Sequence, residues 1–382
     1  MAALTLLIFL LLLPPLLLLL LLTLITRPNS IKIPIKNRHV FITGGSSGIG
    51  LALAHQAASQ GAQVSILARN LDKLEEAKNS IRLATGIEIS TFSADVRDFE
   101  AVKKAIEEAG EIDVLICNQG VFIPGEIGVM DLEMVRFMID VNLIGCFHLI
   151  KAALPGMKRR SKERGPGSIA LMSSQAGQVG IYGYTAYSAS KFGLRGMAEA
   201  LQQEVISDNL HVSLIFPPDT ETPGLAEETK QRPELTSIIA DSSGTMKAEE
   251  VAQKALTGIK SGRFIVPCNF EGILLSLATA GLSPQRSALM AFVEVVSAGV
   301  LRILGLFFQW NWYGSIAKWN AKKNRKSLSK HKSQKIESIL ILDKRNTLVN
   351  LCFIDAYREL SSTLWNGRWP VSNLFKTRFS DT

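Results

Sequence analysis

Val40-Phe41-Ile42-Thr43 runs directly into Gly44-Gly45-Ser46-Ser47-Gly48-Ile49-Gly50, and no other stretch of the chain restricts its fold as strongly. A β-branched run that enters a glycine-rich turn and opens a helix is the first unit of a sheet that holds a dinucleotide. Gly44 permits the tight turn, Gly48 lets backbone approach a pyrophosphate, and Gly50 lets helix pack on sheet. The phosphates then meet the positive end of the helix dipole.

The chain repeats that strand–helix alternation as far as about Pro267. Strands are expected at Val40–Thr43, Val64–Ala68, Glu88–Ser93, Val114–Asn118, Ser168–Ser173 and Val212–Phe216. Helices are expected at Ile49–Gln60, Asn70–Leu83, Phe99–Ala109 and Ala189–Ile206. The pattern predicts an α/β domain over residues 35–269, a Rossmann-like doubly wound parallel sheet.

The rest of the chain is set apart by composition. Residues 1–26 carry no charged side chain and exceed the roughly 20 apolar residues that a membrane crossing needs. No basic segment precedes them, which favours an uncleaved anchor over a signal peptide. Arg27, Lys32, Lys36 and Arg38 follow at once and place the body in the cytosol by the positive-inside rule. Residues 270–317 are apolar but interrupted by Arg286, Glu294 and Arg302. Their charge-free stretches look short for a crossing, so membrane-associated interfacial or re-entrant helices are expected there. The net charge is +8, yet residues 1–317 hold 28 basic against 29 acidic groups, and residues 318–382 hold 14 against 5. The basicity belongs to a tail, read as disordered, and the body has no nucleic-acid footprint. The four cysteines have no paired spacing and no histidine cluster, so neither a disulfide framework nor a metal site is indicated.

At the end of the second strand stands Ala68, where a carboxylate would hold a free ribose 2′-hydroxyl, and Arg69 is next in the chain. An arginine suits the extra phosphate of NADPH, with Ser46 and Lys73 as further candidates for that phosphate. Asp95 is placed either to bind the adenine or to cap the next helix, and Val96 lies beside it. Ser47 and Ile49 complete the cofactor surface of the glycine turn.

The chemistry rests on Tyr187-Ser188-Ala189-Ser190-Lys191. Tyrosine and lysine four apart share a helix face. A nearby ammonium lowers a phenol's pKa by about 1–3 units, which would make Tyr187 a usable proton donor to a carbonyl. Ser174, 13 residues upstream at a strand end, can polarise the same carbonyl.

With these motifs the chain resembles the short-chain dehydrogenase/reductase family. The resemblance implies that Asn142 supports a proton-relay water, that Asn118 and Gly120 flank the cofactor, and that Thr222 meets the nicotinamide amide. Lys191 would also hold the nicotinamide ribose, and a homodimer is common in the family. Gln119 and Pro218 depart from its Asn-Ala-Gly and Pro-Gly patterns. The runs Phe216-Pro217-Pro218-Asp219-Thr220-Glu221-Thr222-Pro223-Gly224 and Ser173-Ser174-Gln175-Ala176-Gly177-Gln178 resemble the 3-ketodihydrosphingosine reductases within it. That implies a long-chain sphingoid ketone as substrate, membrane lipid as surroundings and the endoplasmic reticulum membrane as location. A membrane-anchored retinol or steroid dehydrogenase is the alternative, and a non-catalytic cofactor-binding scaffold a more distant one.

Overall fold

In the computed structural model, residues 2–27, 31–240 and 244–343 are described. Helix α1 (Ala2–Thr26) precedes an alternating body of β1 (His39–Thr43), α2 (Gly48–Ser59), β2 (Gln63–Ala68), α3 (Leu71–Thr85) and β3 (Ser90–Ser93). It continues through α4 (Phe99–Ala109), β4 (Val114–Cys117), α5 (Leu132–Ile139), a π-helical turn (Asp140–Ile144), α6 (Gly145–Arg164) and β5 (Gly167–Met172). A 3₁₀ turn (Gln175–Gly177) leads to α7 (Thr185–Val205), β6 (Leu210–Phe216), β7 (Thr220–Glu221), α8 (Pro223–Gln231) and α9 (Glu234–Ala240). The remainder is β8 (Met246–Lys247), α10 (Ala248–Lys260), β9 (Ile265–Pro267), α11 (Phe270–Ala278) and α12 (Ala288–Asp343).

Seven parallel strands form one sheet in the order β3-β2-β1-β4-β5-β6-β9, which is the expected Rossmann-like topology with a seventh strand added. Side chains alternate across it. Val40, Ile42, Val64, Ile66, Val114 and Ile116 pack with α2 and α10 on one face. Phe41, Leu67, Leu115 and Cys117 pack with α4, α6 and α7 on the other. A sheet covered on both faces needs near-continuous apolar strands, and β1, β4, β5 and β6 are buried along their whole length. Helix ends obey local chemistry. Asn70 caps α3 by accepting from the Lys73 backbone N–H at 2.8 Å, and Gly86 ends it at φ +73°. Asp113, at the start of β4, accepts from Arg38 Nη1 and the His39 N–H at 2.9 Å and from Arg160 Nε at 3.1 Å, tying β1 and α6 to the sheet.

The chain divides into two compact units, Met1–Ser315 and Ile316–Thr382. In the first, α1 has 25 residues, a length of roughly 37 Å at 1.5 Å per residue. Ala288–Gln334 of α12 is long and apolar enough to cross a membrane. The charge-free stretches expected to bound separate segments in residues 270–317 do not do so after Ala288, because Glu294 and Arg302 sit inside one uninterrupted helix. Leu132–Arg164 passes the same test but belongs to the packed body, whereas α1 contributes a shorter apolar stretch, Leu10–Thr26. These helices are consistent with membrane association. The short α11 is tied to the body by Gln175 Nε2 to Asn269 Oδ1 and Gln178 Nε2 to Ser276 Oγ, both at 2.8 Å.

The second unit carries another correction. The tail expected to be disordered from residue 318 is helical as far as Asp343. Its lysines, arginines and alanine are good helix formers, and elongating a formed helix avoids the cost of nucleation. The part of that tail beyond 343 lies outside the described residues.

Candidate active site

The strand order reverses between β1 and β4, and a parallel sheet opens a crevice at the carboxyl ends of its strands at such a point. A cavity of about 690 Å³ lies there. Of the residues singled out in the sequence, Gly44, Ser47, Gly48, Ile49, Arg69, Asn118, Gly120, Ser174, Tyr187, Lys191 and Thr222 line it. Gly50 and Asn142 stand behind its wall, buried. Ser46, Lys73, Asp95 and Val96 do not line it. Asp95 is clasped by Arg97, with Nη2 to Oδ2 at 2.7 Å, so an adenine would compete with that pairing. Hydrogen bonding to Arg97 also holds the Asp95 carboxyl below its usual range.

One wall fits a dinucleotide. Gly44 and Gly48 have φ of +62° and +52°, which disfavours side chains. Asn118 Nδ2 donates to the carbonyls of Thr43 at 3.1 Å and Gly44 at 3.4 Å and fixes the turn to β4. Ser47 gives α2 no side-chain cap, and the first turn holds no acidic residue, so its N–H groups suit a phosphate. Arg69 is exposed at the rim. A Cβ on Gly48 would come within 2.9 Å of Thr222 Cγ2, so Thr222 seats directly against the turn. Gln119, the departure at this motif, is buried; its Nε2 reaches Cys146 Sγ at 3.1 Å and its Oε1 accepts from Thr43.

The opposite wall carries the candidate acid–base groups. Tyr187 and Lys191 lie in α7 and line the same cavity as Ser174, which follows β5 and whose side chain acts on the Tyr187 phenol. Lys191 Nζ donates to the Met172 carbonyl at 2.9 Å and lies 5.6 Å from the Tyr187 ring centroid. Asn142, in the π-helical turn, accepts from the Val121 N–H at 2.8 Å and donates to Ser190 Oγ at 3.0 Å. It therefore braces the loop after β4 against α7.

The electrostatics differ from the sequence expectation. Burial pushes Tyr187 up to about 12; the Ser174 side chain opposes this, while Asp219 and Glu228 add to it. Burial lowers Lys191 to about 8, with Cys146 pulling the other way. Desolvation outweighs the mutual effect of phenol and ammonium, because α7 places both groups inside the body.

Sequence reasoning missed the neighbours that set this environment. Phe122, from the loop after β4, stacks on Tyr187 with centroids 4.0 Å apart and meets Tyr184 edge-on at 4.6 Å. Tyr184 Oη donates to Glu228 Oε1 at 3.2 Å. Arg232 binds Glu228 through Nε at 2.9 Å and Asp219 Oδ2 through Nη2 at 2.9 Å. The i,i+4 spacing of Glu228 and Arg232 was the one available signal.

A family model described as short chain dehydrogenase matches residues 38–233. A protein from Arabidopsis thaliana named 3-dehydrosphinganine reductase TSC10A is 67% identical over 302 residues, covering 79% of this chain and 92% of that one. A 3-ketodihydrosphingosine reductase from Bos taurus is 35% identical over 291 residues, covering 74% and 85%. The solved structure of a short-chain dehydrogenase from Sphingobium yanoikuyae in complex with NADPH has the same fold, with a TM-score of 0.54 at 23% identity, covering 61% of this chain and 88% of that one.

Proposed function

Because the chain belongs to the short-chain dehydrogenase/reductase family, we propose that it reduces 3-ketodihydrosphingosine to dihydrosphingosine with NADPH. It is an oxidoreductase acting on a ketone/alcohol pair. The observation that carries the reading is one cavity lined by Ser174, Tyr187 and Lys191 together with the glycine turn.

When bound, the cofactor supplies the hydride. Gly44, Ser47, Gly48, Ile49 and the start of α2 would hold its pyrophosphate, and Thr222 its amide. Ser174 orients and polarises the ketone oxygen. Tyr187, protonated with its pKa at about 12, donates the proton that the developing alkoxide needs. Lys191 holds positive charge beneath the phenol and on the ribose side. Asn142 keeps the loop after β4 in register with α7 and carries the water path to solvent.

We place the protein in the endoplasmic reticulum membrane with its body on the cytosolic side, on the grounds of α1, α12 and the basic residues after Thr26. A long-chain base keeps its alkyl tail in the bilayer, and exposing each methylene to water costs about 0.8 kcal/mol. An enzyme held at the surface avoids that cost. Gln175, which lines the cavity, also bonds Asn269 at the head of α11, so this apolar segment adjoins the cavity wall.

Membranes containing the protein, assayed with NADPH against 3-ketodihydrosphingosine, retinal and a ketosteroid, test the substrate. Reduction of the sphingoid ketone should exceed that of the other two, and preference for either of those would overturn the assignment.

Arg69→Ala should weaken NADPH far more than NADH. A charge-assisted contact to phosphate is worth about 1.5–3 kcal/mol, so the NADPH dissociation constant should rise by roughly 10–150-fold. Equal losses for both cofactors would remove Arg69 as the selector.

The pH profile offers a further check. In kcat/KM for NADPH, which reports the free enzyme, activity should fall as pH rises through about 8, where Lys191 loses its charge. Tyr187, at about 12, is still protonated there, so the first alkaline limb belongs to the lysine. A profile flat well beyond that point would show that the cation is not needed.

A further inference from the structure

One charged group at the cavity is unaccounted for by hydride and proton transfer. Asp219 and Glu228 share the single guanidinium of Arg232, leaving the set one negative charge in excess. Glu228 is fully buried and occupied: Arg232 reaches both of its oxygens, and Tyr184 donates to Oε1. Tyr184 cannot share the charge, because burial, with Glu228 next in effect, holds its phenol far above the usual range. Asp219 differs. Its Oδ2 receives Arg232 at 2.9 Å, its Oδ1 receives no donor among the described residues, its side chain is 29% exposed, and the residue lines the cavity. It lies just after β6 and shares the cavity lining with Ser174 and Tyr187, where the ketone is to be protonated. Glu227, the other acidic residue of the wall, is paired with Lys230 at 2.6 Å and largely exposed.

An excess negative charge in a partly desolvated wall favours a ligand that brings a cation. The substrate class proposed above has one, since a sphingoid 3-ketone carries an ammonium on the carbon next to its carbonyl. Granting that substrate class, on which this inference rests, we propose that Asp219 recognises the substrate ammonium. Oδ1 accepts its hydrogen bond while Arg232 holds Oδ2, and the pairing sets the carbonyl against Ser174 and Tyr187. Retinal and ketosteroids have no ammonium and leave the charge uncompensated, so Asp219 acts as a selectivity residue. Arg232 acts as its positioning residue.

The test uses the full-length membrane enzyme, NADPH and three ketones of equal chain length: the amino ketone, its N-acetyl derivative and the deaminated 1-hydroxy-3-ketone. The wild type should favour the amino ketone over both neutral ketones by roughly 10–100-fold in kcat/KM, the range of a charge-assisted hydrogen bond. Asp219→Asn keeps the shape and an acceptor for Arg232, and should bring that preference to within about threefold of unity. NADPH binding by the variant reports an intact cofactor site. A wild type that reduces charged and neutral ketones equally well overturns the proposal without any variant. So does a variant that loses activity on all three ketones in equal proportion, which would assign Asp219 to the cofactor or to packing. Collapse of the preference in Glu227→Gln but not in Asp219→Asn also overturns it. A wild type that reduces none of the three ketones refutes the functional reading itself, a result distinct from each of these.

Discussion

Tyr187→Phe should lower the turnover of the ketone by about 10²–10⁴-fold, the range typical of a lost general acid, while cofactor binding persists. The ring has reasons of its own to stay in place. It stacks on Phe122 at 4.0 Å and meets Tyr184 edge-on at 6.2 Å, and neither contact uses the hydroxyl. What disappears is the phenol oxygen, the group on which Ser174 acts. Burial raises the pKa of this phenol, so it is reluctant to ionise at rest and keeps its proton until an alkoxide forms. The comparison that decides the matter is single-turnover reduction beside cofactor titration in the same purified variant. Near-normal turnover would remove Tyr187 from the chemistry. Loss of cofactor binding in step with turnover would assign it a structural role.

How legible such a site is from sequence depends on whether the chemistry acts through backbone or through burial. The glycine turn was readable because glycine adopts the left-handed conformations at Gly44 and Gly48 at least cost, and Tyr187 and Lys191 because helix geometry alone puts residues four apart on one face. The six main strands were readable as short β-branched runs alternating with helices, and β1, β4, β5 and β6 are buried along their whole length. β9 was not, because Ile265–Pro267 is a three-residue strand defined by its pairing with Leu214–Phe216. β7 and β8 are two residues each and exist through each other. Helix α7 begins at Thr185, ahead of the expected Ala189, and its N-terminus carries no side-chain cap that could have marked it. Phe122 and the Asp219–Arg232–Glu228 set come from separate loops and helices, with no periodicity joining them. The direction of the Tyr187 shift was misread for a related reason. Proximity of tyrosine and lysine can be read from spacing, whereas desolvation depends on everything packed around them.

Gly50→Ala puts two known effects in opposition, and their magnitudes decide the outcome. In a helix interior, replacing glycine by alanine gains about 0.8–1 kcal/mol of intrinsic propensity. At Gly50, however, a Cβ would fall 2.1 Å from the Gly44 carbonyl oxygen and 2.6 Å from Asn118 Nδ2. Both are rigid: the oxygen is backbone, and the amide is held by the Thr43 and Gly44 carbonyls. Overpacking of this kind costs typically about 1–3 kcal/mol and occasionally more, and contact with backbone argues for the upper end. Loss should therefore exceed gain. At roughly 2–4 °C per kcal/mol for a body of this size, the melting temperature should fall by several degrees. Relieving the overlap means moving the Gly44 peptide, which is the surface offered to the pyrophosphate, so cofactor affinity should fall by at least about tenfold as well. Gly196 supplies the control. It also lies in a helix, α7, but is exposed, and its Cβ would meet nothing within 4 Å. Gly196→Ala should thus raise the melting temperature by a degree or more and leave cofactor affinity unchanged. Thermal unfolding and NADPH titration of the two variants side by side check both signs. If Gly50→Ala is stabilised like Gly196→Ala, the close approach of α2 to the turn is not what fixes the cofactor cradle.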